Sequence, residues 1–395
     1  MKKILALIQM GLLATTLILL SSCAQNTNQP IGSYPQSVKS EPKHIALLLP
    51  LNGPLSPFAQ AIKNGFFTAF YQKKQDGYTP IITVYDTNEK DINQVYAAAI
   101  SDGADFIVGP LEKNTVKTLA QHAALSVPVL ALNTLPQEAD RHPDNFYEFG
   151  LSPRDEAQQV ANKIWANQQQ HALIIVPDGA LGQRVANAFQ TQFQGLGGQV
   201  IATQYYQNSR TLSDNIQNVL QVKQAYEDKR KIQQIVRQEV RFVPQRRHDF
   251  DSIFLMATPS MADQIMPLLR FYFANNIPVY STSQIDKGPF SDDLNGLMFC
   301  DMPWILSPNQ MQPTYLQSMQ QRIRTIWPEN YTNLAKFYAL GIDAYDLTLP
   351  LKQYAGLPKS GMPAATGTLY VTANQHIYRQ LTWAKIQNES LQLMH

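Results

Sequence analysis

Three short motifs carry residue types that could do covalent chemistry. Ser40-Glu41-Pro42-Lys43 reads S-x-x-K, Ser213-Asp214-Asn215 reads S-D-N, and Lys359-Ser360-Gly361 reads K-S-G. In this order they form the motif set of serine acyl-transfer enzymes of the transpeptidase and β-lactamase type, in which a lysine one helical turn on assists the serine. The first motif lacks the context that chemistry needs. Pro42 stands between Ser40 and Lys43, and a proline disfavours helix in the residue before it. The two side chains therefore have no helical turn to bring them together, and motifs of three or four characters arise readily by chance.

Other chemistries lack their residues. There is no H-E-x-x-H, no C-x-x-C, no clustered histidine for a metal and no G-x-x-x-x-G-K-[ST] loop for a nucleotide. Gly195, Gly197 and Gly198 follow a helical stretch and precede an apolar run, so they read as a helix stop rather than a dinucleotide turn. Asp249 with Asp251, and Asp292 with Asp293, are carboxylate pairs in sequence only, as solvated loops commonly are. The expectation is a protein without cofactor or metal and without catalysis.

The elements that would position a site are regular. "HIALLLP" (44–50) is a continuous apolar run of the kind a buried parallel strand shows. Ser56-Pro57 then opens a helical pattern through Phe58, Ile62, Phe66 and Phe70, with Ser56 as the expected N-cap. Further strands are expected at 81–87, 105–110 and 127–132, with helices between them. After "NFYEFG" (145–150) the same grammar restarts at Ser152-Pro153, with strands at 171–178, 199–206, 251–258 and 277–283. Alternating strands and helices imply right-handed βαβ units on parallel sheets. The fold class expected is α/β, two doubly wound parallel-sheet lobes joined by a hinge. The first lobe is expected to hold 44–150 and about 291–351, the second 151–290 and about 352–395.

In open α/β sheets ligands bind beyond the carboxyl ends of the strands. Those positions carry Asn52, Gly53 and Ser56; Gly109, Pro110 and Leu111; Asn133 and Thr134; Asp178 and Gly179; and Ser281, Thr282 and Ser283. They are candidates for a cleft that takes a small molecule, although Gly, Asn and Ser also build turns for structural reasons alone. One segment breaks the rhythm. Residues 222–249 hold eight Lys/Arg against four Asp/Glu, and read either as a solvated helical excursion or as a surface for an acidic partner or anionic glycan, with Arg230, Arg241, Arg246 and Arg247 as candidate contacts.

The N-terminus is a targeting segment. Lys2 and Lys3 precede an apolar stretch from Ile4 to Leu20 that reads as a secretory signal. It ends in Leu20-Ser21-Ser22-Cys23, which resembles the bacterial lipobox. That resemblance implies cleavage after residue 22, lipid on Cys23 and, with Ala24 next, an outer-membrane destination on the periplasmic face. Several acyl chains on one residue anchor stably. Residues 24–43 are polar and rich in Pro, Ser, Asn and Gln, and read as a flexible tether of ~25 Å r.m.s. span and ~65 Å full reach. Cys300 is then left without an intramolecular partner and is expected as a buried thiol. A net charge of +2 with 16% charged residues argues against nucleic acid as the main partner.

The two-lobed pattern, with "IALLLPLNGPLSPFAQAIKNGFFTAFY", resembles the type I periplasmic binding proteins. "ADFIVGPLEKNTV", "VPVLALN", "RFVPQRRHDFDSIFLMATPSMADQIMPLLRFYFANNIPVYSTS" and the basic segment more closely resemble the C-terminal domain of the penicillin-binding protein activator lipoproteins (LppC/LpoA type), over roughly residues 44–386. The resemblance implies a non-catalytic domain that binds a bifunctional peptidoglycan synthase, a class A penicillin-binding protein, and stimulates it. Longer members carry a helical-repeat domain ahead of this one; here the tether is expected to begin directly after Cys23. The alternative is a solute-binding lipoprotein that captures an amino acid or cell-wall fragment between its lobes.

Overall fold

The computed structural model describes residues 40–75, 77–121, 125–135, 143–239, 241–243, 245–286, 289–306 and 313–394. The signal segment, Cys23 and the tether through residue 39 lie outside the described residues. The last part of the expected tether does not behave as one. Pro42 is buried, its carbonyl accepts from the Tyr78 hydroxyl at 3.0 Å, and the Lys43 N–H donates to Asp105 at 3.1 Å. These contacts lay the chain onto the first lobe before its first strand begins.

Strand β1 (His44–Leu49) is an interior strand of the first sheet. Ile45 through Leu49 have no exposed surface, because parallel neighbours flank the strand and helices cover both faces. Helix α1 (Ser56–Lys74) follows, then β2 (Ile81–Asp86), α2 (Ile92–Ser101), β3 (Phe106–Val108), α3 (Lys113–Ala120), β4 (Val129–Ala131) and β5 (Phe146–Glu148). All pairings in this sheet are parallel, in the order β2-β1-β3-β4-β5. Helix α1 starts one residue earlier than expected. Leu55 is its N-cap, its carbonyl accepting from the Ala59 N–H at 3.0 Å, and its apolar side chain can make no cap bond.

The second sheet is built from α4 (Pro153–Ala166), β6 (His171–Pro177), α5 (Ala180–Gly195), β7 (Gln199–Tyr206), α6 (Ser209–Val219), α7 (Val222–Val236), β8 (Ser252–Leu255), α8 (Pro259–Phe271), β9 (Val279–Ser281) and β10 (Met298–Asp301). Ser152 caps α4, its hydroxyl accepting from the Asp155 N–H. After β10 come α9 (Pro303–Leu306), α10 (Thr314–Ile326), α11 (Pro328–Tyr354), β11 (Met362–Pro363), β12 (Thr368–Val371), β13 (Ile377–Gln380), β14 (Thr382–Gln387) and β15 (Ser390–Met394). The second sheet runs β15-β14-β10-β9-β8-β6-β7, parallel from β10 to β7, with β14 and β15 antiparallel at one edge. Strands β11, β12 and β13 form a small antiparallel sheet.

The expected assignment of 291–351 to the first lobe fails for its strand. β10 pairs parallel with β9 and sits in the second sheet. Leu297, Phe299 and Cys300 are fully buried there, so the apolar run at 297–300 completes the sheet that the preceding strand began. Helix α11, by contrast, lies on α1 of the first lobe. Two glycines allow the close approach: a Cβ on Gly65 would overlap the Tyr338 carbonyl oxygen, and one on Gly341 the Ile62 carbonyl oxygen. The chain crosses back through the small sheet. The Glu148 N–H bonds the Gln375 carbonyl at 3.1 Å, which ties the start of β13 to the edge strand β5, while β14 continues into the second sheet. Among the described residues no helix is long and apolar enough to cross a membrane.

Candidate functional site

The strand-end positions fall into separate groups. In the first, Asp86 at the end of β2 accepts from Leu51 N at 2.8 Å, Asn88 N at 3.0 Å and Asn52 Nδ2 at 2.8 Å. Desolvation pushes that carboxyl up, but the three hydrogen bonds outweigh it and hold Asp86 below its usual range. Gly53 takes a left-handed φ of 76° to turn the chain into α1, where Ser56 lies. In the second group, the carbonyl of Leu48 crowds Gly109 so closely that a Cβ would overlap it, and Pro110 and Leu111 are buried. Asn133 donates to the Leu111 carbonyl at 3.0 Å and accepts from Thr134 N at 2.9 Å. These polar groups are spent on their own turns.

At the end of β6, Asp178 and Gly179 are exposed. Asp178 accepts from Gly179 N at 2.8 Å and Gln207 Nε2 at 3.0 Å. The last group, after β9, is different because it joins other elements. Ser281 and Thr282 are buried, and neither hydroxyl has a partner among the described residues. Ser283 donates its N–H and its hydroxyl to the two oxygens of Glu156, both at 3.0 Å. Its carbonyl accepts from Lys336 Nζ at 3.1 Å, and Lys336 forms an ion pair with Asp301 at 2.6 Å. No hydrogen bond or ion pair among the described residues connects these groups to one another.

The junction around Lys336 joins the two lobes. Glu156 sits in the first turn of α4, Ser283 follows β9, Asp301 ends β10, and Lys336 reaches them from α11, the helix packed on α1. Burial pushes Glu156 up and lifts Asp301 to about 6. It would depress Lys336, but the Asp301 and Glu156 carboxylates outweigh it and raise the ammonium. Burial likewise raises the thiol of Cys300, which is free and fully buried. Sequence reasoning missed Lys336. A signal was present: Lys336 and Asp343 lie seven residues apart, hence on one face, in the largely apolar middle of the helix.

A second buried network crosses the hinge. His376 Nε2 lies 2.8 Å from Asp155 Oδ2, and the Ser152 hydroxyl donates to Asp155 Oδ1 at 3.0 Å. Serine, histidine and aspartate thus meet, but with the carboxylate in the middle. Nucleophilic catalysis needs the histidine between serine and acid, so that it can take the serine proton. This arrangement clamps α4 to β13 instead. Gln159 strengthens the clamp, donating to the Arg379 carbonyl and accepting from Leu381 N, both at 2.8 Å. The three motifs of the acyl-transfer set lie apart in the fold, before β1, within α6 and before β11, and Ser213 is bonded to the Tyr272 hydroxyl at 2.8 Å.

In the basic segment the four arginines divide. Arg230 and Arg241 are exposed. Arg246 is buried, with Nε on the Phe273 carbonyl at 2.9 Å and its guanidinium 4.8 Å from the Phe250 ring centroid. Arg247 is engaged by Asp249 through two bonds of 2.7 Å. Arg246 and Arg247 therefore hold the segment to the lobe. Exposed apolar side chains share α7 with the charges: Tyr226, Ile232, Val236 and Ile235, the last 79% exposed.

The family model described as "LppC putative lipoprotein" matches residues 36–389 of the chain. A protein of Vibrio antiquarius (strain Ex25) named "Penicillin-binding protein activator LpoA" is 29% identical over 382 residues, covering 92% of this chain and 61% of that protein. The protein of the same name from Vibrio vulnificus (strain YJ016) is 29% identical over 377 residues, 91% of this chain and 61% of its own length. The chain thus spans about three fifths of the length of these curated relatives. The crystal structure of the LpoA C-domain from Haemophilus influenzae, "a regulator of PBP1A", superposes with a TM-score of 0.68 at 25% identity, covering 89% of this chain and 100% of that one. A "putative branched-chain amino acid ABC transporter" from Chromobacterium violaceum, at 23% identity and a TM-score of 0.62, covers 87% of this chain and 99% of its own and shares the fold.

Proposed function

The chain belongs to the LppC lipoprotein family, and from that premise we propose that it is a non-catalytic activator of a bifunctional penicillin-binding protein. It acts from the periplasmic face of the outer membrane, where lipid on Cys23 anchors it. The observation that carries this reading is the match to proteins named penicillin-binding protein activator, which runs through both lobes and the hinge. The internal chemistry supports it. Ser283, in the turn after β9, is held by Glu156 and Lys336 rather than left free for a solute, which favours a scaffold. The contact surface is the exposed part of α7 and the segment that follows it, which carry the exposed Arg230, Arg241, Ile232 and Ile235. Apolar centres with charged rims are what protein partners recognise.

The test is binding of the full chain, in detergent, to the detergent-solubilised bifunctional synthase of the same organism, with the cross-linking rate followed in parallel. Saturable binding at micromolar affinity or better with faster cross-linking supports the reading. Absence of both would sink it.

A further inference from the structure

A groove of about 830 Å³ opens where α4, the edge strands β14 and β15, and the small sheet meet. It shares no residue with the strand-end groups or the basic segment. Its size is in the range of small-ligand sites, ~300–1,000 Å³. Three aromatic side chains, Tyr370, Tyr378 and Trp383, line it together with the amides of Asn162 and Gln380. Among the described residues that line it, Lys163 is the single charged group and none is a carboxylate.

The hydrogen-bonding state of these groups says what is missing. Asn162 Oδ1 accepts from Gln192 Nε2 at 2.8 Å, and Gln380 Oε1 accepts from the Tyr370 hydroxyl at 3.1 Å. Each amide has therefore spent its acceptor within the protein and keeps its NH₂ donors for something else. Lys163 Nζ lies 5.8 Å from the Trp383 ring centroid and makes no ion pair among the described residues. Gln159 beneath them is saturated by backbone bonds, which keeps the floor in place.

The groove thus offers aromatic faces, amide donors and one cation. A purely apolar ligand would leave the donors unsatisfied, at ~1–3 kcal/mol for each one buried. A compact inorganic anion would leave the rings unused, and a cation would meet Lys163. A pyranose fits all three features: its C–H face lies on the negative face of an aromatic ring, and its hydroxyl and acetamido oxygens accept from the amides. A carboxylate on the sugar would pair with the ammonium.

We propose that this groove binds an acidic oligosaccharide of N-acetylated amino sugars, with Lys163 on its carboxylate and Tyr370 and Trp383 against its rings. The choice of sugar rests on the activator reading above, under which the protein works where such glycans are made. The groove adjoins the hinge strand β13, so an occupied groove would bear on the crossing between the lobes.

Titration calorimetry on the full chain in detergent tests this, with the disaccharide of N-acetylglucosamine and N-acetylmuramic acid as probe. Its methyl ester and neutral diacetylchitobiose serve as comparisons, and no synthase is present. We expect saturable binding of the acid, about tenfold weaker binding of the ester for loss of the charge-assisted bond, and equal affinity for acid and ester in Lys163→Gln. Tyr370→Ala should weaken all three sugars. No saturable binding of the acid up to about 10 mM, well above the ~1 mM of a weak specific site, would overturn the proposal. So would an acid-to-ester ratio unchanged in Lys163→Gln, a surface substitution that spares the fold. Sugar binding by a chain that fails to bind the synthase would still support the groove while sinking the activator reading.

Discussion

Replacing Lys336 with methionine should destabilise the protein in a pH-dependent way. The substitution keeps the length and most of the volume of the side chain but removes its charge. In the native protein the ammonium is 2.6 Å from Asp301, whose side chain is 2% exposed against 28% for Lys336. Removing one partner of a buried pair costs ~3–5 kcal/mol, and the partial exposure of the lysine places this case at the low end, ~3 kcal/mol. For a chain of this size that is a fall in Tm of roughly 6 °C, at ~2 °C per kcal/mol. The sign with pH follows from Asp301. Its folded pKa of about 6 lies above that of an unfolded aspartate, ~3.9. Its own contribution is therefore fully present below ~3.9 and lost as pH rises through about 6. Above that pH the ionised carboxylate is tolerated because Lys336 faces it. The variant should accordingly lose little at pH 5 and the full amount at pH 8. Thermal unfolding followed by circular dichroism at both values checks this, and Asp301→Asn in the Lys336→Met background should recover part of the loss. An equal loss at pH 5 and pH 8 would refute the reasoning, since it would mean that packing rather than charge holds the junction.

Gly341→Ala should cost at least ~3 kcal/mol, because the new methyl overlaps backbone rather than a side chain that can move; urea denaturation measures it, and a neutral result would mean that α1 and α11 can separate without loss. The His376–Asp155 clamp should carry a pH signature of its own. Burial lowers the imidazole, but Asp155 outweighs it and raises His376 above its usual range, so the stability it adds is present below pH ~6.5 and fades as pH rises through the higher folded value. His376→Ala should therefore cost more at pH 6 than at pH 9, read by thermal shift. Arg246→Ala should destabilise the protein by ~2 kcal/mol for the lost charged hydrogen bonds and ring contact, read as a lower melting temperature. Arg230→Glu with Arg241→Glu should leave it unchanged and weaken synthase binding; a variant that binds as before removes the basic segment from the contact surface.

Much of the architecture was legible because its determinants are local. The run at 45–49 could only be a strand covered on both faces, and Ser152-Pro153 announced α4 through cap chemistry that needs three residues. The Ser56-Pro57 pair misled by one position, since the Leu55 carbonyl already accepts from the Ala59 N–H. The strand-end residues were picked as cleft candidates with turn building as the alternative, and whether their polar groups face a ligand or a neighbouring turn is a question of partners. Asn52 and Asn133 answer it with bonds to neighbouring strand ends, at Asp86 and Leu111. Arg246 looked like Arg230 in a basic run, and only the Phe250 ring and the Phe273 carbonyl set it apart.

The amino-acid sequence by itself determined the alternation of strands and helices and the two-lobed α/β class, because each depends on neighbours within a turn or a strand. The tertiary structure decided the rest. It put β10 in the second sheet, brought Lys336 to Ser283 across 53 residues and His376 to Asp155 across 221, and set Lys163 over Trp383 with no acid partner among the described residues. Those outcomes turn on which charges meet once the lobes close over them. The energy of a buried charge is set by its surroundings within a few ångströms, and no stretch of sequence contains those surroundings.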